Sequence, residues 1–145
     1  MIESQYTANV HKRLPKHIKA WKVNDNYAGG VPDAFYRNND TSVETRPLWV
    51  EYKFIKALPK RDSTRIIPDL SSLQRKELRE ILAANNDEQA LVIVGVEKVE
   101  GLTGAAGFLV HPEEWETGVE AVEARKRCVN YAGICDLIVK NTVFY

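Results

Sequence analysis

The chain has little with which to build a covalently stapled or metal-clamped scaffold. Cys128 and Cys135 are its only cysteines, too few for a disulfide framework and without the CxxC spacing of a zinc site. Both are expected to be buried free thiols in a reducing compartment. His11, His17 and His111 fall into neither HxxxH nor HxH spacing, which sets aside a histidine-built zinc centre. Long apolar runs are missing too. Ala90 to Val96 and Gly104 to Val110 are the longest, well short of the roughly 20 residues that cross a bilayer. The turn Gly101-Leu102-Thr103-Gly104 is too short to cradle a phosphate and lacks the Lys-Ser or Lys-Thr that such a loop needs. No charged and apolar leader opens the chain, and neither repeats nor low-complexity segments interrupt it. These absences set the expectation of a soluble, unprocessed, cytoplasmic protein with no membrane partner.

Net charge is missing as well: 20 Lys and Arg balance 20 Asp and Glu, whereas a nucleic-acid binder usually carries a basic footprint. The distribution is uneven, however. From Arg46 to Glu80 nine bases face five acids, a net of +4, and from Ile81 onward ten acids face five bases, a net of −5. A basic flank beside an acidic one suits a phosphate-binding face, although solvated surfaces show the same asymmetry.

What is present suffices for one core and no more: 145 residues, 44% of them hydrophobic, make a single domain. Tyr6, Val10 and Leu14 at helical spacing predict a helix from Glu3 that stops before Pro15. The alternation over His17 to Val23 predicts a strand, and Asn24 to Gly30 a loop. Val31 to Arg37 and Leu48 to Ile55 read as adjacent antiparallel strands joined by the polar segment Asn38 to Glu44. Lys56 to Pro68, with four bases and no periodicity, reads as a mobile basic loop. Ser71 or Ser72 caps a helix running to Asn85, with Leu73, Leu78, Ile81 and Leu82 as its apolar face and Asn85 and Asn86 ending it. Ala90 to Val96 is the uninterrupted apolar run of a strand buried on both faces and returning parallel after a helical crossover. Ala105 to Val110 pairs with it through the Gly101 to Gly104 turn. Pro112 starts a helical turn through Trp115, and a last helix spans Tyr131 to Lys140. The order α-β-β-β-α-β-β-α-α specifies an α/β domain with a mixed central sheet flanked by helices.

The chemistry concentrates in Pro32-Asp33, seventeen intervening residues, and Glu51-Tyr52-Lys53. Alternation along a strand sends Glu51 and Lys53 to one side, and pairing of the two strands brings Asp33 beside them. Two carboxylates and a lysine meet the needs of metal-assisted phosphodiester cleavage. They supply hard oxygen ligands for magnesium, open coordination positions, and a cation against the charge that develops on the phosphorane. The same spacing arises from cross-strand surface charges and a turn-ending aspartate. Against that stand Val31, Ala34, Phe35, Leu48, Trp49, Val50 and Phe54, because acids in strands so apolar call for a cation or a partner. Trp21, Trp49 and Trp115 could stack on bases but read as core residues, and no function is assigned to them.

Gly30-Val31-Pro32-Asp33, Trp49-Val50-Glu51-Tyr52-Lys53, and Leu70-Ser71-Ser72-Leu73-Gln74 at the head of the next helix together resemble the PD-(D/E)XK nuclease superfamily. Within it the chain looks most like the virus-type replication-repair nuclease (VRR-NUC) and Holliday-junction-resolvase branch, over roughly Glu3 to Trp115. The resemblance implies a restriction-endonuclease-like core of α-β-β-β-α-β order. It implies an endonuclease dependent on Mg2+ or Mn2+ that acts on duplex or branched DNA in replication, recombination or repair. Asp33 and Glu51 would be the metal ligands with the Tyr52 carbonyl, Lys53 the catalytic lysine, and Gln74 the residue that positions water or phosphate. Glu3 would be the glutamate that the family often places on its first helix. Lys56, Lys60, Arg61, Arg65, Arg75 and Lys76 would track DNA phosphates. Resolvase-like members work as symmetric dimers, which points to a homodimer. The competing reading keeps the fold as a noncatalytic DNA-binding or interaction module.

Overall fold

A computed structural model describes residues 1–23, 29–84 and 87–144. A six-stranded mixed sheet runs through the middle. Its strands are β1 (Ile18–Lys22), β2 (Ala34–Asn38), β3 (Leu48–Ile55), β5 (Gln89–Val96), β6 (Ala106–Val110) and β8 (Val129–Asn130), in that spatial order. Only β3 and β5 are parallel; the other neighbours are antiparallel. Between β3 and β5 the chain makes the short strand β4 (Arg65–Ile66) and the helix α2 (Ser72–Ala83). After β6 come a 3-10 turn at Pro112–Glu114, β7 (Val119–Glu120), α3 (Ala121–Arg127) and, beyond β8, α4 (Tyr131–Asn141). With α1 (Glu3–Lys12) at the start, this is the mixed α/β architecture expected.

Strand β5 explains why one continuous apolar run can be a strand. Val92, Val94 and Val96 face the core under α2, α3 and Trp115, while Leu91 and Ile93 face the core under α1 and α4. Both faces are covered, so neither needs polar residues. On the second face Tyr6 of α1 lies over Gly95 and Gly107, which are paired across β5 and β6. A side chain at either glycine would collide with the Tyr6 ring or its hydroxyl.

Three expectations need correction. Lys56 to Pro68 is not a free loop, because Arg65 and Ile66 pair with Glu120 and Val119. The Thr64 and Asp62 carbonyls accept from Ala121 and Val122, and Asp62 meets Arg125 at 3.1 Å. Charge-rich composition hid a segment whose order comes from long-range pairing. Leu73 does not belong to the buried face of α2, being 52% exposed, whereas Leu78 and Ile81 are buried. In the first turn of that helix the apolar stripe has not yet reached the sheet. Finally, β7, α3 and β8 are additions, too short for periodicity to reveal. Asn24 to Ala28 of the expected loop, and the Asn85 and Asn86 helix end, lie outside the described residues. Both thiols are free; Cys135 is buried and Cys128 half-buried.

Candidate active site

The site forms where β2 begins, halfway along β3, and under the first turn of α2. Alternation puts Trp49, Glu51, Lys53 and Ile55 on the α2 face of β3, and Val50, Tyr52 and Phe54 on the α1 face. Ala34 is opposite Val50, so Asp33 lies just past the paired end of β2. There its Oδ2 takes the place of a ladder acceptor, receiving the Tyr52 N–H at 2.9 Å. The N–H and C=O of one strand residue point to the same edge, so the Tyr52 carbonyl faces the Asp33 side too. Behind it the Tyr52 hydroxyl is tied to Tyr36 at 2.6 Å, and Tyr36 to the His11 ring at 2.7 Å.

Helix α2 delivers Gln74 through its cap. The Ser71 Oγ accepts the Gln74 N–H at 3.1 Å, and the Gln74 Oε1 accepts the Ser71 N–H at 2.9 Å, a reciprocal capping box. The same side chain then serves the strand. Its Nε2 donates to Glu51 Oε2 at 3.1 Å, and its Oε1 accepts from Lys53 Nζ at 3.3 Å. Lys53 Nζ also stands 3.6 Å from Glu51 Oε2. Gly30 lets the chain approach this turn: its φ is +89°, and an added Cβ would lie 2.8 Å from the Leu73 carbonyl oxygen.

Glu51 is 1% exposed. Its Oε2 is engaged by Gln74 and Lys53, its Oε1 is buried with no donor among the described residues, and the Asp33 carboxyl stands close enough to share a proton with it. Burial, followed by the charge of Asp33, pushes its carboxyl far above the usual carboxylate range, to about 8. An acid so placed needs a proton or a cation. Glu3, in the first turn of α1, comes close enough that burial first and Asp33 second raise its carboxyl, while Lys53 and Lys22 oppose the rise. Glu3, Lys53 and Asp69 share a hollow of about 250 Å3 with the apolar Phe54, Ile66 and Ile67. Asp69 had no motif to mark it.

A divalent ion fits this donor set. Two hard carboxylates converge, one with a buried oxygen that meets no donor among the described residues, and a backbone carbonyl faces the same edge. Among the described residues no group of three or more His, Cys, Asp or Glu side chains is placed to hold a metal ion, so the candidate donors are two carboxylates and one backbone carbonyl.

The structure thus brings together Asp33, Glu51, Tyr52, Lys53, Gln74 and Glu3. The basic residues do not all gather there. Arg65 lies 3.8 Å from Glu120, and Arg75 lies 3.8 Å from Glu116 while donating to the Leu70 carbonyl at 2.9 Å. Lys60 lines a different hollow with Lys98 and Arg125.

No protein-family model, no curated protein and no solved structure matches the chain at a significant level. The functional reading therefore rests on the chemistry of the site.

Proposed function

We propose that the chain is a metal-dependent endodeoxyribonuclease. The observation that carries this reading is Glu51, a buried carboxylate whose Oε1 meets no donor among the described residues, set against the Asp33 carboxyl and held by Lys53 and Gln74. A structural strand has no use for such a costly arrangement.

Asp33, Glu51 and the Tyr52 carbonyl would hold Mg2+ or Mn2+, which supplies Lewis acidity and a water activated at neutral pH. Lys53 faces the same opening, where its ammonium can hold the attacking water and offset charge on the phosphoryl oxygens. Gln74 fixes the rotamers of Glu51 and Lys53 together. Glu3 and Asp69 line the adjoining hollow, where a further carboxylate can accept a proton from water. Water would be the nucleophile, with no covalent enzyme intermediate, because Asp33 and Glu51 would be committed to holding the ion and Lys53 to the water and phosphoryl oxygens. A symmetric dimer would present two such sites to two strands, as the junction-cutting reading requires; its size in solution checks that part.

The test is cleavage of a labelled panel (four-way junction, flap, duplex and single strand) with manganese, magnesium or chelator. Wild type is compared with Glu51→Ala and Lys53→Ala. Metal-dependent cutting lost in both variants supports the reading, and the preferred substrate defines the class of DNA. Binding without cutting by the wild type in every metal overturns it in favour of a noncatalytic DNA-binding module.

A further inference from the structure

The face of the sheet that carries Glu51 continues outward as a row of aromatic rings. Across β1, β2 and β3, Trp21 is opposite Phe35, and Phe35 is opposite Trp49. The Trp21 and Phe35 centroids are 5.6 Å apart, and those of Phe35 and Trp49 are 4.7 Å apart. Exposure rises along the row: Trp49 packs partly into the core and holds Glu88 at 3.4 Å, whereas Trp21 is 37% exposed. Two cations cover the outer ring, Arg37 at 5.1 Å and Lys19 at 5.8 Å from its centroid. Glu51 follows Trp49 by two residues on the same face, about 7 Å along the strand, and Asp33 precedes Phe35 by the same interval.

We infer that Trp21 and Phe35, flanked by Arg37 and Lys19, form a stacking platform for the unpaired bases of single-stranded DNA leading into the nuclease site. This rests on the nuclease reading only for its position beside the cut. Three features of the row select this occupant. Its outer ring, Trp21, is exposed at the β1 edge with Phe35 half-buried behind it, so its face is offered to bases that have left a duplex stack. The charges over its exposed end are cationic among the described residues, Arg37 and Lys19 on Trp21, with Glu88 at the far end on Trp49, and they match phosphates between successive bases. Arginine over an aromatic ring also offers its own plane to a base. A structural role for Trp21 explains its contact with Phe35, but not an exposed indole between two cations at the sheet edge.

The test uses a fluorescein-labelled oligothymidylate of about 12 nucleotides and a duplex of equal length, both in chelator so that no cleavage intervenes. Wild type is compared with Trp21→Ala, Trp21→Phe and Arg37→Ala, each checked for native circular dichroism. Wild type should bind the single strand with quenching of tryptophan emission. Trp21→Ala should weaken that binding about tenfold, with duplex binding unmoved and Trp21→Phe largely restored. Arg37→Ala should lower the salt slope by about one. Loss confined to the single strand supports the platform whether or not the protein cuts DNA. Equal single-strand affinity in wild type and Trp21→Ala, or no single-strand binding by the wild type, overturns it. So does a change of oligomeric size in Trp21→Ala with single-strand affinity intact, which would make Trp21 part of a protein interface.

Discussion

Gln74 reaches Glu51 across the helix–strand interface, its Nε2 donating to Oε2 at 3.1 Å while the other end of the same amide receives Lys53 at 3.3 Å and the Ser71 amide at 2.9 Å. One side chain therefore closes a helix cap and sets the spacing of an acid and a base on the strand below.

The first prediction separates those two duties. Gln74→Ala removes the capping-box partner, which costs about 0.5–1 kcal/mol of stability, and frees the rotamers of Glu51 and Lys53. Cleavage should fall about 10- to 100-fold, the usual effect of losing a residue that orients ligands, mainly in kcat. Thermal unfolding beside single-turnover cleavage checks it. A loss of activity no larger than that caused by Ser71→Ala would assign Gln74 to the cap alone.

A second prediction concerns the cost of burying Glu51. Its folded carboxyl lies above the ordinary value of 4.5, at about 8, chiefly through burial and then through Asp33. Its contribution to stability is therefore fully present below about pH 4.5 and is lost as pH rises towards 8. Glu51→Gln lifts that penalty. Without metal, the variant should be more stable than wild type at pH 8, by an amount on the order of a few kcal/mol at most, with the difference shrinking towards pH 4.5. Manganese should stabilise wild type and not the variant. Binding near pH 6.5 should release about one proton, measured by calorimetry in buffers of different ionisation enthalpy.

The legibility of this molecule in its sequence follows the range of the forces involved. Strands β3 and β5 and helix α2 were readable because their own residues carry the signal: an uninterrupted apolar run, or a serine cap followed by periodic leucine and isoleucine. The cluster of Asp33, Glu51 and Lys53 was readable because alternation on one strand and the pairing of its neighbour leave few arrangements. Strands β4, β7 and β8 carry no such signal, being two residues each and held by partners more than twenty residues away. Leu73 shows the converse failure: the right period, in a turn that overhangs the site. Glu3 was marked only by the family resemblance, since its approach depends on how α1 crosses the sheet. The aromatic row was invisible for a related reason. Trp21, Phe35 and Trp49 are adjacent only in the register of three strands.

The third prediction concerns the segment that carries α3. Arg127 donates to both oxygens of Glu114, at 2.7 and 2.8 Å, to Glu123 at 3.2 Å and to the Leu109 carbonyl at 3.1 Å. Both partners of the two-pronged pair are mostly buried, at 21% side-chain exposure. Arg127→Ala should cost about 1–3 kcal/mol. The hydrogen bonds from Arg127 hold the Glu114 carboxyl below its ordinary value of 4.5. That contribution is present above pH 4.5 and is lost as pH falls through the lower folded value. Urea midpoints of wild type and variant should therefore draw closer in acid. A gap that stays constant from pH 7 down to the onset of acid unfolding would show that the pair adds packing and not charge.

The last prediction concerns what holds α1, and with it Glu3, against the sheet. Tyr6 is fully buried over the paired glycines Gly95 and Gly107, and its hydroxyl has no hydrogen-bond partner among the described residues. The ring gains dispersion and apolar burial, while the hydroxyl loses water and gains nothing in return. Tyr6→Phe keeps the ring and removes the unpaired oxygen, so it should leave stability unchanged or raise it by up to about 1 kcal/mol. Gly107→Ala does the opposite: the new methyl occupies the space of the hydroxyl and should cost about 1–3 kcal/mol by overpacking. Combining the two relieves the clash, so the double variant should recover much of that loss, a non-additivity expected only of groups in contact. Thermal melts of the four proteins measure the coupling. If Tyr6→Phe destabilises by more than about 1 kcal/mol, the hydroxyl has a partner such as a buried water, and the α1 seat depends on a polar contact and not on ring packing alone.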